Sequence, residues 1–465
     1  MIRRYPSFPS DFIHTAILLS LFAGITLGSH VVYLIGFDLS LGPGYYSFIQ
    51  SHGHIQLMGW AGLFIMGVSL HFLPRLTHIK INDRYRPDLI LGFMTSGLFL
   101  RIICQCWLPY LNGSPWFSTL SILIVFSGIL TIISIIYYLL ALGSIIKKSI
   151  QDVRKINRNI QIFILLTIVG WVIYSLGDQV LLIEMFMNRQ SILLQNWNGF
   201  LIDLFIHFTI FSICMAVGIR TLPLFMRLPA ITWNVKIFSQ IYAILLFIIF
   251  GGRFINQFIY YSLITNTIYI SSILKDALIM WFIININIIF KTRPPWVDTM
   301  DEEKVPHRKE ARKNLPDYGE FGRFEWLIKP AFLWLFTGLF LDIIIQYSLL
   351  TKRITEISTD GVRHIFLLGF ISHLIMGMAV RMIPGMAGIR KLTKPHWVAP
   401  LAILSNVAVF QRVFILVLPV QVLSSLPGNI ELYNRLFGIS GILFLIGLGI
   451  FYYIMFPVLK YRKDD

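Results

Sequence analysis

Twelve apolar stretches recur from end to end of this 465-residue chain, and each reaches the roughly 20 residues that carry a helix across a hydrocarbon core of about 30 Å. They fall near 12–36, 52–74, 89–110, 118–145, 160–184, 200–222, 237–260, 267–290, 326–350, 362–384, 398–420 and 435–457. Only 13% of the residues are charged against 56% hydrophobic, where a soluble domain carries roughly 25% charged residues. The mean hydropathy is +0.72. The sequence therefore predicts an all-α integral membrane protein, with 1–465 forming a single transmembrane domain and the lipid bilayer as its main partner.

A formal net charge of +16 raises the question of nucleic acid, but the basic residues form no single face or tail. They alternate with the connections. Arg3 and Arg4 stand at the amino end; Arg75, Lys80, Arg84 and Arg86 follow the second span; Lys147, Lys148, Arg154, Lys155 and Arg158 follow the fourth. Arg227 and Lys236 follow the sixth, and Arg390, Lys391 and Lys394 the tenth, while 37–51, 109–117 and 261–268 are nearly bare of them. By the positive-inside rule both termini are cytoplasmic, and no nucleic-acid partner is expected. The one sizeable hydrophilic segment, 291–325, reads as a cytoplasmic loop. Cys104, Cys106 and Cys214 all lie within spans, so no disulfide framework follows and packing is their expected role.

Three segments align without a gap on a proline near the end of the second, sixth and tenth spans: HIQLMGWAGLFIMGVSLHFLP from His54 to Pro74, DLFIHFTIFSICMAVGIRTLP from Asp203 to Pro223, and HIFLLGFISHLIMGMAVRMIP from His364 to Pro384. Their starts are 149 and 161 residues apart. The span after each carries one arginine, Arg101, Arg253 or Arg412, at 27, 30 and 28 residues beyond the proline. The span before each carries a polar residue, His30, Asp178 or Asp342. The chain reads as three pseudo-symmetric four-helix units, about 1–150, 151–300 and 320–465.

A charge at the centre of a bilayer costs roughly 2.5–3.5 kcal/mol on insertion scales, so such residues face the bundle interior and need partners. His54 and His364 share a repeat position; His52 lies about 3 Å shallower, His207 about 6 Å deeper and His373 about 13.5 Å deeper at 1.5 Å per residue. Neutral imidazole ligates haem iron and copper, and two histidines at one depth on separate helices suit a six-coordinate haem. Haem propionates want cations, which Arg101, Arg253 and Arg412 could supply, with Asp178 and Asp342 as alternative partners. The metal candidates are His52, His54, His207, His364 and His373, whereas His14, His71 and His78 near helix ends read as packing residues. Arg220 and Arg381 read as snorkelling side chains. Gly59, Gly62, Gly67, Gly369 and Gly377 allow close approach of a helix or a flat macrocycle.

The segment SHGHIQLMGWAGLFIMG at Ser51 to Gly67 resembles the His-x-His segment and small-residue helix of the NnrS family. VGIRTLPLF at Val217 to Phe225, and RHIFLLGF with VRMIPGMAG near 363–388, are similar to that family's Arg-containing segment and late His-containing helix. The resemblance implies a bacterial inner-membrane protein holding haem b and copper, whose partner is nitric oxide or another small gas and whose role lies in nitric oxide metabolism or resistance to nitrosative stress. That family is itself similar to the catalytic subunit of haem–copper oxidases, which implies haem ligation by His54 (or His52) and His364 and a copper ligand at His207. Two departures stand out. The seventh span has no histidine where the oxidases carry a His-His pair, and Gly385-Met386-Ala387-Gly388 replaces the family's usual Gly-His-Thr-Gly.

A respiratory gas reductase subunit and a non-redox transporter built on the buried His, Arg and Asp residues are the alternative readings, and the redox donor is open. The charge pattern predicts that reporter fusions at positions 113 and 152 have opposite sidedness. Equal sidedness would mean that the span count in the first unit is wrong.

Overall fold

The protein is described here by a computed structural model covering residues 8–77, 79, 86–151, 160–226, 228–229, 231–290, 318–425 and 430–461. The expected cytoplasmic loop at 291–325 falls largely outside these residues, as do His78 and many of the basic residues of the connections. Among the described residues there is no strand, and twelve helices are long and apolar enough to cross a membrane: α1 Ser10–Gly36, α2 Tyr45–Arg75, α3 Pro87–Leu111, α4 Trp116–Lys147, α5 Gln161–Met187, α6 Gln195–Phe225, α7 Val235–Asn256, α8 Ser262–Ile286, α9 Glu325–Leu350, α10 Thr359–Met386, α11 Pro395–Val417 and α12 Ile430–Lys460. The chain is rich in β-branched residues, yet it forms helices because lipid leaves every backbone polar group to be satisfied within its own segment. Local signals set several ends. Pro87 opens α3 with a missing N–H that a first turn does not need, and the Asn234 side chain caps α7 by accepting from the backbone N–H groups of Lys236 and Ile237, both at 3.1 Å.

The chain divides into two compact units, Met1–Ser212 and Ile213–Asp465, with the division inside α6. Within the first unit α1 packs on α2, α2 and α4 on α3, and α4 on α5, which lies against the first part of α6. Within the second, neighbours in sequence again pair, from α7 on α8 through α11 on α12, and α10 also touches α12. Short connections thus keep consecutive helices adjacent.

Three helices differ from the rest in burial. In their most apolar stretch α2 is 83% buried and α6 and α10 are each 72% buried, against 33–44% for the others. The other helices expose large apolar side chains such as Phe22, Phe247 and Val180, a surface that only hydrocarbon solvates well. The same three helices widen into π-helical turns at Ile55–Gly62, Phe205–Phe211 and Ile365–Ser372. Each π segment ends 12 residues before the proline on which the sequence repeat is registered. A fourth lies in α1 at Ser20–Gly24. A π turn displaces the backbone bond to the fifth residue along, and side chains five residues on exploit the shifted carbonyls: Thr26 donates to Leu21 O at 2.6 Å, Ser212 to His207 O at 3.2 Å and Ser372 to Leu367 O at 2.9 Å.

Gly67 of α2 and Gly377 of α10 hold the same repeat position, and each receives the helix preceding its own. A Cβ at Gly67 would stand 2.7 Å from Phe12 Cβ, and one at Gly377 2.6 Å from Ile328 Cγ1. Helix packing therefore accounts for these two glycines. Gly67→Leu or Gly377→Leu should lower stability by about 1–3 kcal/mol through overpacking, read as a drop in the thermal midpoint in detergent. Gly92→Leu, where a Cβ meets nothing within 4 Å, should leave the midpoint unchanged.

Candidate cofactor-binding histidines

In the first unit a buried polar chain surrounds His54, which ends the α-helical part of α2 just before its π segment. Burial of His54 leaves 6% exposed, and Arg101 on α3 is 2% exposed. The His54 Nδ1 lies 3.1 Å from the Tyr174 hydroxyl and 4.0 Å from Asp178 Oδ1, both on α5. Arg101 donates from both terminal nitrogens to Asp178, at 3.3 and 3.4 Å, and from Nε to Gln105 Oε1 at 2.6 Å. Gln105 Nε2 in turn donates to Gln50 Oε1 at 3.4 Å, and Gln50 is tied to the Leu193 backbone at both its amide atoms, 2.9 Å each. Leu193 lines an open cavity of about 440 Å³ with Asn112, Phe117, Arg189 and Gln195 among its walls. The helical spacing explains the geometry: Arg101 and Gln105, like Tyr174 and Asp178, are four apart and share a face.

The neighbouring His52 faces α1 instead. Its Nδ1–H donates to Gly24 O at 2.7 Å, a carbonyl at the end of the α1 π segment. A Cβ on Gly28 would overlap the His52 ring at 2.5 Å, so α1 is shaped to receive it. His207 lies within the α6 π segment, 9% exposed and edge-on to Phe211 at 5.0 Å.

In the second unit His364 and His373 of α10 have unlike surroundings. His364 donates from Nδ1 to Asp360 O at 2.8 Å and accepts at Nε2 from Arg412 Nη2 at 3.2 Å. Arg412 also meets Asp360 Oδ2 at 3.6 Å and lies over the Phe437 ring at 4.5 Å. His373 is fully buried; its Nδ1–H donates to Leu368 O at 3.0 Å, and its Nε2 has no hydrogen-bond partner.

The structure reassigns two partners. Asp342 on α9, expected to be available to an arginine, is paired with Lys275 of α8 at 3.8 Å and accepts from Gln346 at 3.0 Å. Arg381, read as a snorkelling side chain, is instead enclosed by the rings of Phe321, Phe225 and Phe324 at 4.2, 5.1 and 5.8 Å, because three aromatic faces solvate a cation locally. Arg253 lies over the Phe250 ring at 5.4 Å. His71 accepts a short hydrogen bond from Arg75 and stacks edge-on with Phe8, a packing role as expected. Cys104, Cys106 and Cys214 carry no disulfide. Sequence reading overlooked Lys275 and Asp276, although the adjacent opposite charges in SSILKDALIM were a visible signal, and it did not single out Tyr174, Gln50 or Gln105.

Metal-ligating histidines characteristically donate one ring N–H to a protein group, which leaves the other nitrogen's lone pair for the metal. His373 meets that condition and adds a buried Nε2 awaiting a partner. His54 meets it in the tautomer protonated at Nδ1. The histidines present therefore fit an axial role to haem iron. A three-donor copper centre is not assembled: among the described residues no group of three or more His, Cys, Asp or Glu side chains is placed to hold a metal ion.

The fold is similar to that of a haem–copper terminal oxidase: a cryo-EM structure of a haem–copper terminal oxidase dimer aligns with a TM-score of 0.63 at 13% identity, over 98% of this chain and 85% of that one. Residues 322–462 match the family described as NnrS protein, so the resemblance read from the motifs holds over α9 to α12. No curated protein matches the chain.

The Arg101 and Asp178 pair is buried and bidentate, so Arg101→Gln should leave an uncompensated carboxylate and cost about 3–5 kcal/mol. The double variant Arg101→Gln/Asp178→Asn should recover most of that loss. Thermal unfolding of the four proteins checks it, and equal losses in single and double variants would show that the two side chains are not coupled.

Proposed function

We propose that this chain is a haem-binding protein of the bacterial inner membrane that binds or transforms nitric oxide or a related small gas, in nitric oxide metabolism or nitrosative-stress resistance. The carrying observation is the His373 ring, held at Nδ1 by the Leu368 carbonyl with its buried Nε2 unpartnered. The NnrS match over residues 322–462 and the oxidase-like fold support the same reading. Haem b is the cofactor that this histidine chemistry suits, and bound haem iron would supply a site for a diatomic gas. His373 and His54 are the residues that would hold haem iron in their respective units. His364 is a weaker one, since its Nε2 lone pair already accepts from Arg412. His52 and His207 are the further metal candidates, with copper as the second metal.

The protein's own groups would tune such a site. Tyr174, within hydrogen-bond distance of the His54 Nδ1, would orient that ring, and the Leu368 carbonyl would do the same for His373. Arg101, Arg253 and Arg412 are the cations suited to propionates. Arg101 is already paired with buried Asp178, which leaves Arg412, whose carboxylate partner Asp360 is exposed, as the better propionate partner.

A respiratory reductase subunit is the second reading, favoured by the fold that the chain shares with a terminal oxidase. The lack of a histidine on α7 weighs against a complete copper centre. Detergent-purified protein should show a Soret band. His373→Ala should abolish it or convert its form, and so should His54→Ala, while His14→Ala should leave it intact. The absence of a Soret band after growth with ample haem would overturn the proposal.

A further inference from the structure

Four polar side chains of the second unit have no part in the sites above. Lys275 and Asp276 of α8 are 3% and 0% exposed, and they face Asp342 and Gln346 of α9. Lys275 Nζ lies 2.8 Å from Asp276 Oδ1 and 3.8 Å from Asp342 Oδ2. Gln346 donates to Asp342 Oδ1 at 3.0 Å. One ammonium thus stands between two carboxyl groups. Apart from this ion pair with Lys275, neither carboxyl oxygen of Asp276 has a hydrogen-bond partner among the described residues. The ammonium gathers both carboxyl groups into one side-chain cluster. Two ionised carboxylates are both acceptors, so a hydrogen bond between them needs a proton on one of them.

We propose that Asp276 and Asp342 share one bound proton beside Lys275, making this acid pair, buried at Asp276 and partly buried at Asp342, a proton-holding site within the membrane-spanning part of the second unit. Ionised together, the three charges would sum to −1 in an apolar interior, where an uncompensated charge is strongly disfavoured. One proton makes the cluster neutral and supplies a second donor beside the Lys275 ammonium. Like-charged carboxyls in contact share a proton for the same reason in other settings. The geometry places the proton on Asp342, whose Oδ1 accepts from Gln346, while Lys275 stands nearer to Asp276. Movement of the ammonium towards Asp342 reverses the assignment: the O–H bond on Asp342 breaks, one forms on Asp276, and the negative charge passes to Asp342. The surrounding elements carry other charges. On α7 these are Lys236 and Arg253, with Arg253 stacked on Phe250; α10 carries Asp360, Arg363, His364, His373 and Arg381; and Arg412 of α11 meets His364 and Asp360. Tyr242 of α7 is a buried hydroxyl. Lys275 is the cation that the structure shows against the acid pair.

Infrared spectroscopy of the purified full-length protein near neutral pH tests this without any haem-dependent readout. The wild type should show a protonated-carboxyl C=O stretch that shifts in D2O and responds to isotopic labelling of aspartate. Asp342→Asn and Asp276→Asn should each remove or shift that band. Asp178→Asn, which alters a one-to-one pair with Arg101, should leave it unchanged. Absence of the band from the wild type overturns the proposal even if a variant fails to fold, and so does a band unchanged in both α8 and α9 variants. A band that emerges only when sodium and potassium are removed would make the occupant a monovalent cation, and would equally overturn it.

Discussion

Hydrocarbon offers no hydrogen bonds, and the rest of this structure follows from that single deficit. It makes the chain helical throughout its spans despite an abundance of isoleucine, valine and phenylalanine. It also means that each polar side chain retained inside a span must bring its partners with it. The interior accordingly holds connected groups rather than scattered ones: Gln50, Gln105, Arg101, Asp178, Tyr174 and His54 run together through the first unit. Lys275, Asp276, Asp342 and Gln346 form a second such group.

The backbone itself contributes to this economy. A regular helix spends each interior carbonyl on the residue four along, whereas the π turns of α1, α2, α6 and α10 shift that pattern and offer carbonyls to side chains. His52 uses one of these at Gly24, and His373 uses another at Leu368. In both cases the recipient is an imidazole Nδ1–H, so the helix distortion fixes the tautomer. Three of the four widened segments occur on the three most buried helices, at one register from their prolines. A structural irregularity repeated at a fixed place is a device for aiming side chains, and here it aims histidines.

Much of this was legible in the sequence, for physical reasons that differ from residue to residue. The twelve spans could be read because insertion depends on summed hydrophobicity, which is a property of local composition; the largest difference is the start of α2, seven residues earlier than drawn, followed by five at the starts of α6, α8 and α12. The arginines could be singled out because a charge in a span is conspicuous alone. Their partners could not, since pairing depends on helix rotation, which hydropathy does not encode. Asp178 and Asp342 look alike as isolated acids in apolar spans, yet the first meets Arg101 and the second meets Lys275. His364 and His373 likewise could not be ranked by depth, because what separates them is the state of a ring nitrogen.

The two His, Asp and Arg groups show how one helical plan yields different chemistry. In each unit the arginine of the third helix, Arg101 of α3 or Arg412 of α11, is brought to a group containing the repeat histidine of the second, His54 or His364. In the first unit the aspartate comes from α5 and is buried, so the arginine is neutralised twice over and the His54 ring is left to Tyr174. In the second unit the aspartate comes from the start of α10 itself, with its side chain 56% exposed. Water weakens that pairing, and the same Arg412 Nη2 donates to the His364 Nε2. Origin of the carboxylate, more than presence of the histidine, therefore decides which ring keeps a lone pair. By that criterion the functional weight of α10 passes from His364 to His373, where a main-chain carbonyl replaces the aspartate and no cation competes for the other nitrogen.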